Sequence, residues 1–167
     1  MSFSVNGEVP RYHMKVMANE SAETGEKNRH PVIRVRYAET DQMGVAYHAN
    51  YFIWFEVGRT HYCRVRGFAY ADMERKGGLY LPVIEAHCRY LAPIRYDERF
   101  FVETSLAELR SRRIVFDYRL TGWDRRAVLA EGRTIHAVTG GNGRVRKIPE
   151  EYCRILRQEP QVSECAV

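Results

Sequence analysis

Residues Tyr37–Arg59, YAETDQMGVAYHANYFIWFEVGR, decide how this chain is read, because an acidic, glycine-containing loop runs directly into an aromatic helix. Asp41 stands in a short turn signal with Gly44, and Tyr47, His48 and Asn50 precede the run Tyr51 to Phe55. That run is too apolar to lie on a surface, and Gly67 marks the end of a helix from Asn50 to Arg66. Tyr51, Phe52, Trp54 and Phe55 place apolar groups almost all round its first turns, which predicts a helix wrapped by a sheet. A carboxylate beside a helix N-terminus has a chemical consequence. Free N–H groups and the positive end of the helix dipole stabilise anionic charge, including the oxyanion formed when a carbonyl is attacked. The loop therefore points to acyl chemistry.

Upstream of the loop, Val32 to Tyr37 alternates as a strand; downstream of the helix, residues 68–80 read as a connection broken by Gly77-Gly78. Four extended segments follow, Leu81 to Leu91, Arg99 to Leu109, Arg112 to Trp123 and Ala127 to Thr139, each bounded by a turn signal such as Pro93 or Trp123-Asp124-Arg125. In the third, Ile114, Phe116, Tyr118 and Leu120 alternate with Val115, Asp117, Arg119 and Thr121, so one face belongs to a core. Asn142-Gly143 makes a last turn, and Pro149 to Leu156 reads as a short terminal helix. A strand, a buried helix and four more strands joined by tight turns predict an α+β domain with an antiparallel sheet curled around one central helix.

The 167 residues amount to about one domain, and 45% hydrophobic with 12% aromatic residues is enough for a core. Residues 1–30, including ANESAETGEKN, lack periodicity and read as a flexible extension; 31–157 form the domain and 158–167 a tail. Cys63, Cys88, Cys153 and Cys165 are far apart with no CxxC pairing, which predicts free thiols. The sequence shows neither an apolar run long enough for a bilayer nor a signal-peptide core, so the expected location is cytoplasmic, without membrane insertion. A formal charge of +5, from 26 Lys and Arg against 21 Asp and Glu, suits an anionic partner such as a phosphate-bearing small molecule. With no lysine-rich tract or nucleic-acid motif, nucleic acid is not expected as a partner.

The order of elements together with ETDQMGVAYHANY resembles the hotdog fold and the active-site loop of the 4-hydroxybenzoyl-CoA thioesterase family, close to its Tol-Pal-associated acyl-CoA thioesterase branch. The resemblance covers roughly residues 31–157 and rests on Tyr37, Thr40-Asp41, Gly44, Val45, Tyr47-His48, Asn50-Tyr51, Glu56 and Arg59, a D-x-x-G-x-x-x-H-x-N-Y pattern leading into a helix. It implies hydrolysis of an acyl-CoA thioester to free acid and CoA. Asp41 would attack the carbonyl or activate a water, and the backbone N–H at His48 would polarise the thioester oxygen. Gly44, Tyr47, Asn50 and Tyr51 would shape the substrate pocket, Asn50 also capping the helix, and Phe52 and Phe55 would suit an acyl pocket or simply the core. The resemblance further implies no cofactor and a homo-oligomer, a dimer or a homotetramer built as a dimer of dimers, with sites at the interface. Arg95, Arg112, Arg113 and Arg146 are its candidates for CoA phosphates.

Other residues read more plainly. Glu39, two before Asp41, invites a paired-carboxylate reading, but alternate residues of an extended segment share a face without sharing a substrate, so its expected role is structural. Glu56 and Arg59, three apart, predict an ion pair or a buried anchor on one helix face. His61, His87 and His136 lack the spacing of a metal site, and Gly140, Gly141 and Gly143 end a strand instead of opening a phosphate-binding helix. Two other activities fit the same residues. One is a thioesterase acting on acyl-carrier protein, an acidic partner for a basic surface; the other is a non-catalytic acyl-CoA-binding or scaffold protein.

Overall fold

A computed structural model describes residues 30–159; the expected extension up to residue 29, and the tail from residue 160 with Cys165, lie outside the described residues. The chain runs β1 (Val32–Arg34), a 3-10 turn (Tyr37–Glu39), α1 (Asn50–Arg64), α2 (Tyr70–Gly77), β2 (Leu79–Tyr80), β3 (Val83–Tyr90), β4 (Arg99–Arg110), β5 (Arg113–Gly122), β6 (Val128–Ala137), β7 (Thr139–Gly140) and α3 (Glu150–Arg157). Five strands form one antiparallel sheet in the order β1-β4-β5-β6-β3, while β2 and β7 make a separate two-stranded ribbon.

The sheet wraps α1 as the sequence predicts. Tyr51, Trp54, Phe55 and Cys63 are buried against Phe100, Val102, Phe116, Tyr118 and Leu120, with the Phe55 ring stacked 4.5 Å from Tyr118 at 14°. Helix and sheet approach so closely at Gly58 that a Cβ there would stand 2.5 Å from Thr104 Oγ1 and 2.6 Å from Val102 Cγ1, leaving room for hydrogen alone. Phe101 is buried on the opposite, outer face because Trp123 stacks on it at 5.2 Å, with Arg99 over Trp123 and Arg125 over Phe101.

Six local expectations change. The first strand stops at Arg34, and the Glu39 carboxylate, accepting the Arg36 N–H at 2.8 Å, turns the chain into the 3-10 turn. The connection 68–80 contains α2, whose only buried residue, Met73, is too little apolar periodicity to announce a helix; the Gly77-Gly78 breaker is where it ends. The strand expected over Leu81 to Leu91 begins after Pro82, which has no N–H for a ladder, and the last long strand is divided at Val138. Apolar groups all round α1 are not all covered: Ile53 stays 55% and Val57 39% exposed. Glu56 is exposed and Arg59 is turned towards Tyr118 and Tyr70, so the pair does not act as one anchor.

Candidate active site

The loop before α1 is a small hairpin tied at several points. Thr40 bridges Ala46, the Asp41 N–H donates to Val45 O (2.9 Å), and the Gly44 N–H donates back to Asp41 O (3.0 Å). Gly44 makes that turn with φ 73, a left-handed conformation costly for residues with a Cβ. The hairpin is fastened to the segment before β4 by the Ala46 N–H on Ile94 O (2.7 Å) and a bridge between Val45 and Arg95.

Asp41 is half-buried at the hairpin turn, where its Oδ1 accepts the Met43 N–H at 2.8 Å. This Asx turn fixes the carboxylate through one oxygen, and Oδ2 carries no hydrogen bond among the described residues. His48 is exposed, with its ring 4.3 Å from that of Tyr47, and among the described residues its N–H has no acceptor. Its carbonyl is held from β3 by the Tyr90 hydroxyl at 3.1 Å. Tyr90 in turn stands edge-on to Tyr51 at 4.7 Å, and burial first, then Cys88, pushes both tyrosines' pKa up to about 12, so both are protonated donors at neutral pH.

Asn50 departs from its expected capping role. It is the first residue of α1, and its side chain donates to the Glu39 carbonyl at 2.7 Å instead of closing the helix end. The same carbonyl accepts the Tyr47 N–H at 2.8 Å. Glu39 is therefore a second anchor of the loop that spacing alone did not reveal, and nothing in the sequence announces Tyr90, which is 42 residues from its partner. Tyr47, Asn50 and Tyr51 lie at the start of α1, whereas Gly44 sits exposed at the tip of the hairpin. Phe52 packs at the margin of the core and Phe55 is wholly buried beneath Tyr118, so the core reading of that pair prevails.

The arginines divide. Arg95 adjoins the hairpin, whereas Arg112 and Arg113 lie at the opposite end of β5, where Arg113 grips Glu108 at 2.5 Å and Arg146 packs on Gly140. A depression of about 840 Å³ lies on the outer sheet face between Glu85, Arg89, Asp117 and Arg133, and neither Asp41 nor His48 lines it. The Arg133–Asp117 pair at 2.6 Å marks this as a solvated charged surface. His136 is buried in β6 between Thr134 Oγ1 (2.8 Å) and Leu81 O (3.0 Å), and burial lowers its pKa to about 4. Cys63, Cys88 and Cys153 are free thiols, and burial pushes Cys63 up to about 12, too high for a nucleophile at neutral pH. No helix among the described residues is long and apolar enough to cross a membrane.

A curled antiparallel sheet around one helix, with an acidic hairpin at that helix's N-terminus, defines the hotdog class. The chain belongs to the thioesterase-like superfamily, whose model matches residues 35–156. It is 36% identical over 124 residues to a putative esterase of Aquifex aeolicus, covering 74% of this chain and 94% of that protein. It is 47% identical over 88 residues to the putative acyl-CoA thioesterase YneP of Bacillus subtilis, a stretch that spans 53% of this chain and 63% of YneP. Among solved structures, a DHNA-CoA thioesterase from Staphylococcus aureus superposes with a TM-score of 0.69 at 33% identity, over 75% of this chain and 86% of that one.

Proposed function

We propose that this chain hydrolyses acyl-CoA thioesters to a free acid and CoA, with Asp41 as the reacting carboxylate and the His48 backbone N–H as an oxyanion donor. The observation that carries the reading is the hairpin itself: a carboxylate fixed through one oxygen, on a loop that leads into α1 past the His48 N–H, which has no acceptor among the described residues. Free Oδ2 attacks the thioester carbonyl or takes a proton from an attacking water. The carbonyl oxygen gains negative charge towards the His48 N–H and the thiolate leaves as CoA; where Asp41 is the nucleophile, water then hydrolyses the acyl–Asp41 anhydride, releasing the acid and restoring the carboxylate. A thioester is already activated by its leaving group, so one carboxylate and one oxyanion donor are a sufficient apparatus. Asn50, Tyr47 and Tyr51 shape the mouth of the pocket, Gly44 lets the loop turn, and Arg95 is the arginine nearest the incoming CoA.

The same reading takes the enzyme as a cytoplasmic homotetramer assembled from dimers. Among the described residues β3 pairs only with β6, and along its other edge Val83, Ile84 and Leu91 are exposed, an edge a second copy can extend. Free-thiol release from short aliphatic, long aliphatic and aromatic acyl-CoAs tests the chemistry. Wild type is expected to hydrolyse at least one class, with Asp41→Asn reduced by about a hundredfold or more. Equal rates in the two proteins would remove Asp41 from the reaction. Turnover confined to acyl-carrier-protein esters would reassign the substrate carrier, and tight binding without hydrolysis would favour a non-catalytic role.

A further inference from the structure

We infer that Glu39 is a positioning residue for this reaction, the post that sets Asp41 against the His48 amide; the inference rests on the thioesterase reading above. Glu39 is only 6% exposed, two residues from Asp41 yet facing the core. Its carboxylate accepts from the Arg36 N–H (2.8 Å), the Arg36 Nη2 (2.8 Å) and, at a longer 3.4 Å, the Trp54 Nε1 on the second turn of α1. Its carbonyl accepts from the Tyr47 N–H (2.8 Å) and the Asn50 Nδ2 (2.7 Å). One residue thus joins three things: the turn that leaves β1, the segment 47–50 that carries the oxyanion amide, and the body of the helix.

The direction of control follows from this connectivity. Hairpin 40–46 leaves from residue 39 and returns to it at Tyr47, so the position of Asp41 relative to His48 is closed through the Glu39 peptide group. Three donors on the side chain determine which way that peptide group faces. Three donors hold this carboxylate inward at 6% exposure, which argues against acid–base work beside Asp41. Burial acts to raise its pKa, but the hydrogen bonds from Arg36 and Trp54 outweigh burial and hold it below its ordinary value, so it is an acceptor at neutral pH. Misplacing a reacting group by about 1 Å costs on the order of a hundredfold in rate, which is the size of effect such a post controls.

The test compares wild type with Glu39→Gln, Glu39→Ala and Trp54→Phe by acyl-CoA hydrolysis, thermal unfolding and amide hydrogen exchange of the peptide covering residues 40–50. Glu39→Gln is expected to stay folded and to lose about 10- to 100-fold in kcat with KM within about threefold, and to exchange faster at 40–50 but not in β4–β6. Trp54→Phe, which keeps an aromatic ring but removes the donor together with part of the buried indole's volume, should move kcat per folded molecule and exchange at 40–50 in the same direction by less. An unchanged kcat, unchanged exchange at 40–50, or an activity loss that follows only the fraction unfolded would overturn the proposal. A wild type inert towards every acyl-CoA would sink the thioesterase reading instead, and loop exchange would still report whether Glu39 holds the segment.

Discussion

The two ends of α1 are built in opposite ways. Its N-terminus is met by a polar hairpin, has no side-chain cap, and leaves Tyr47 and His48 exposed. Its C-terminus is sealed: the Tyr62 hydroxyl donates to Leu156 O (3.1 Å), and Arg66 lies 3.5 Å over the Tyr62 ring while donating to Gln158 O (2.9 Å) and Tyr62 O (3.1 Å). Cys63, Phe68 and Met73 are buried behind it, so α2 and α3 plug that end. The contrast separates two uses of one helix. Its carbonyl end is spent on holding the fold together, and its N–H end is the one that the proposed reaction would use for developing charge.

Changes at the sealed end should therefore alter stability without altering chemistry, and changes at the open end the reverse. Met73→Ala empties a fully buried site and is expected to cost about 2–5 kcal/mol in denaturant unfolding, while kcat/KM per folded molecule stays within about twofold. Asp41→Asn is the opposite case: a loss of about a hundredfold in kcat/KM, or about 2.7 kcal/mol of transition-state stabilisation, with an unchanged unfolding midpoint. A large fall in stability for this variant would erase the distinction between the ends. Tyr62→Phe deletes one partly buried hydroxyl and should cost about 0.5–1.5 kcal/mol by the same unfolding measurement, again with normal turnover.

The smallest effect is a pH slope. His136 faces Phe116 beside the sealed half of the helix, and in the folded chain it ionises only near pH 4, against an ordinary value of 6.5. Below 6.5 the unfolded chain takes up the proton first, so the stability contributed by the neutral ring is present above 6.5 and lost as pH falls towards 4. Unfolding midpoints across that window should fall more steeply for wild type than for His136→Asn. Parallel slopes would show that other groups dominate acid unfolding.

Much of the fold was legible in one dimension because it depends on periodicity. The alternation in 113–122 names the buried face of β5, and the aromatic run after Asn50 names the helix that the sheet must cover. The helix Tyr70–Gly77 was not legible, since one buried methionine leaves a periodicity too faint to distinguish from a connection. Pro82 carried the information that β3 starts late, but its effect on a ladder is clear only once β7 is seen to pair with β2 on its other side.

The candidate site divides in the same manner. Asp41, Gly44, His48 and Asn50 are close in sequence, so a local pattern was enough to bring them together, and the loop's contacts with a helix N-terminus follow from chain order. What Asn50 binds, what Glu39 holds and how Tyr90 reaches the His48 carbonyl depend on where separate elements cross in space. The sequence by itself determined the class of fold and the residues that carry charge at the helix start, because hydrophobic period and turn chemistry are properties of neighbouring residues. Only the tertiary structure decided which face of α1 stays bare and which arginine adjoins the hairpin. It also turned Glu39 inward, because hydrogen bonds and close packing act between atoms whose separation no stretch of sequence encodes.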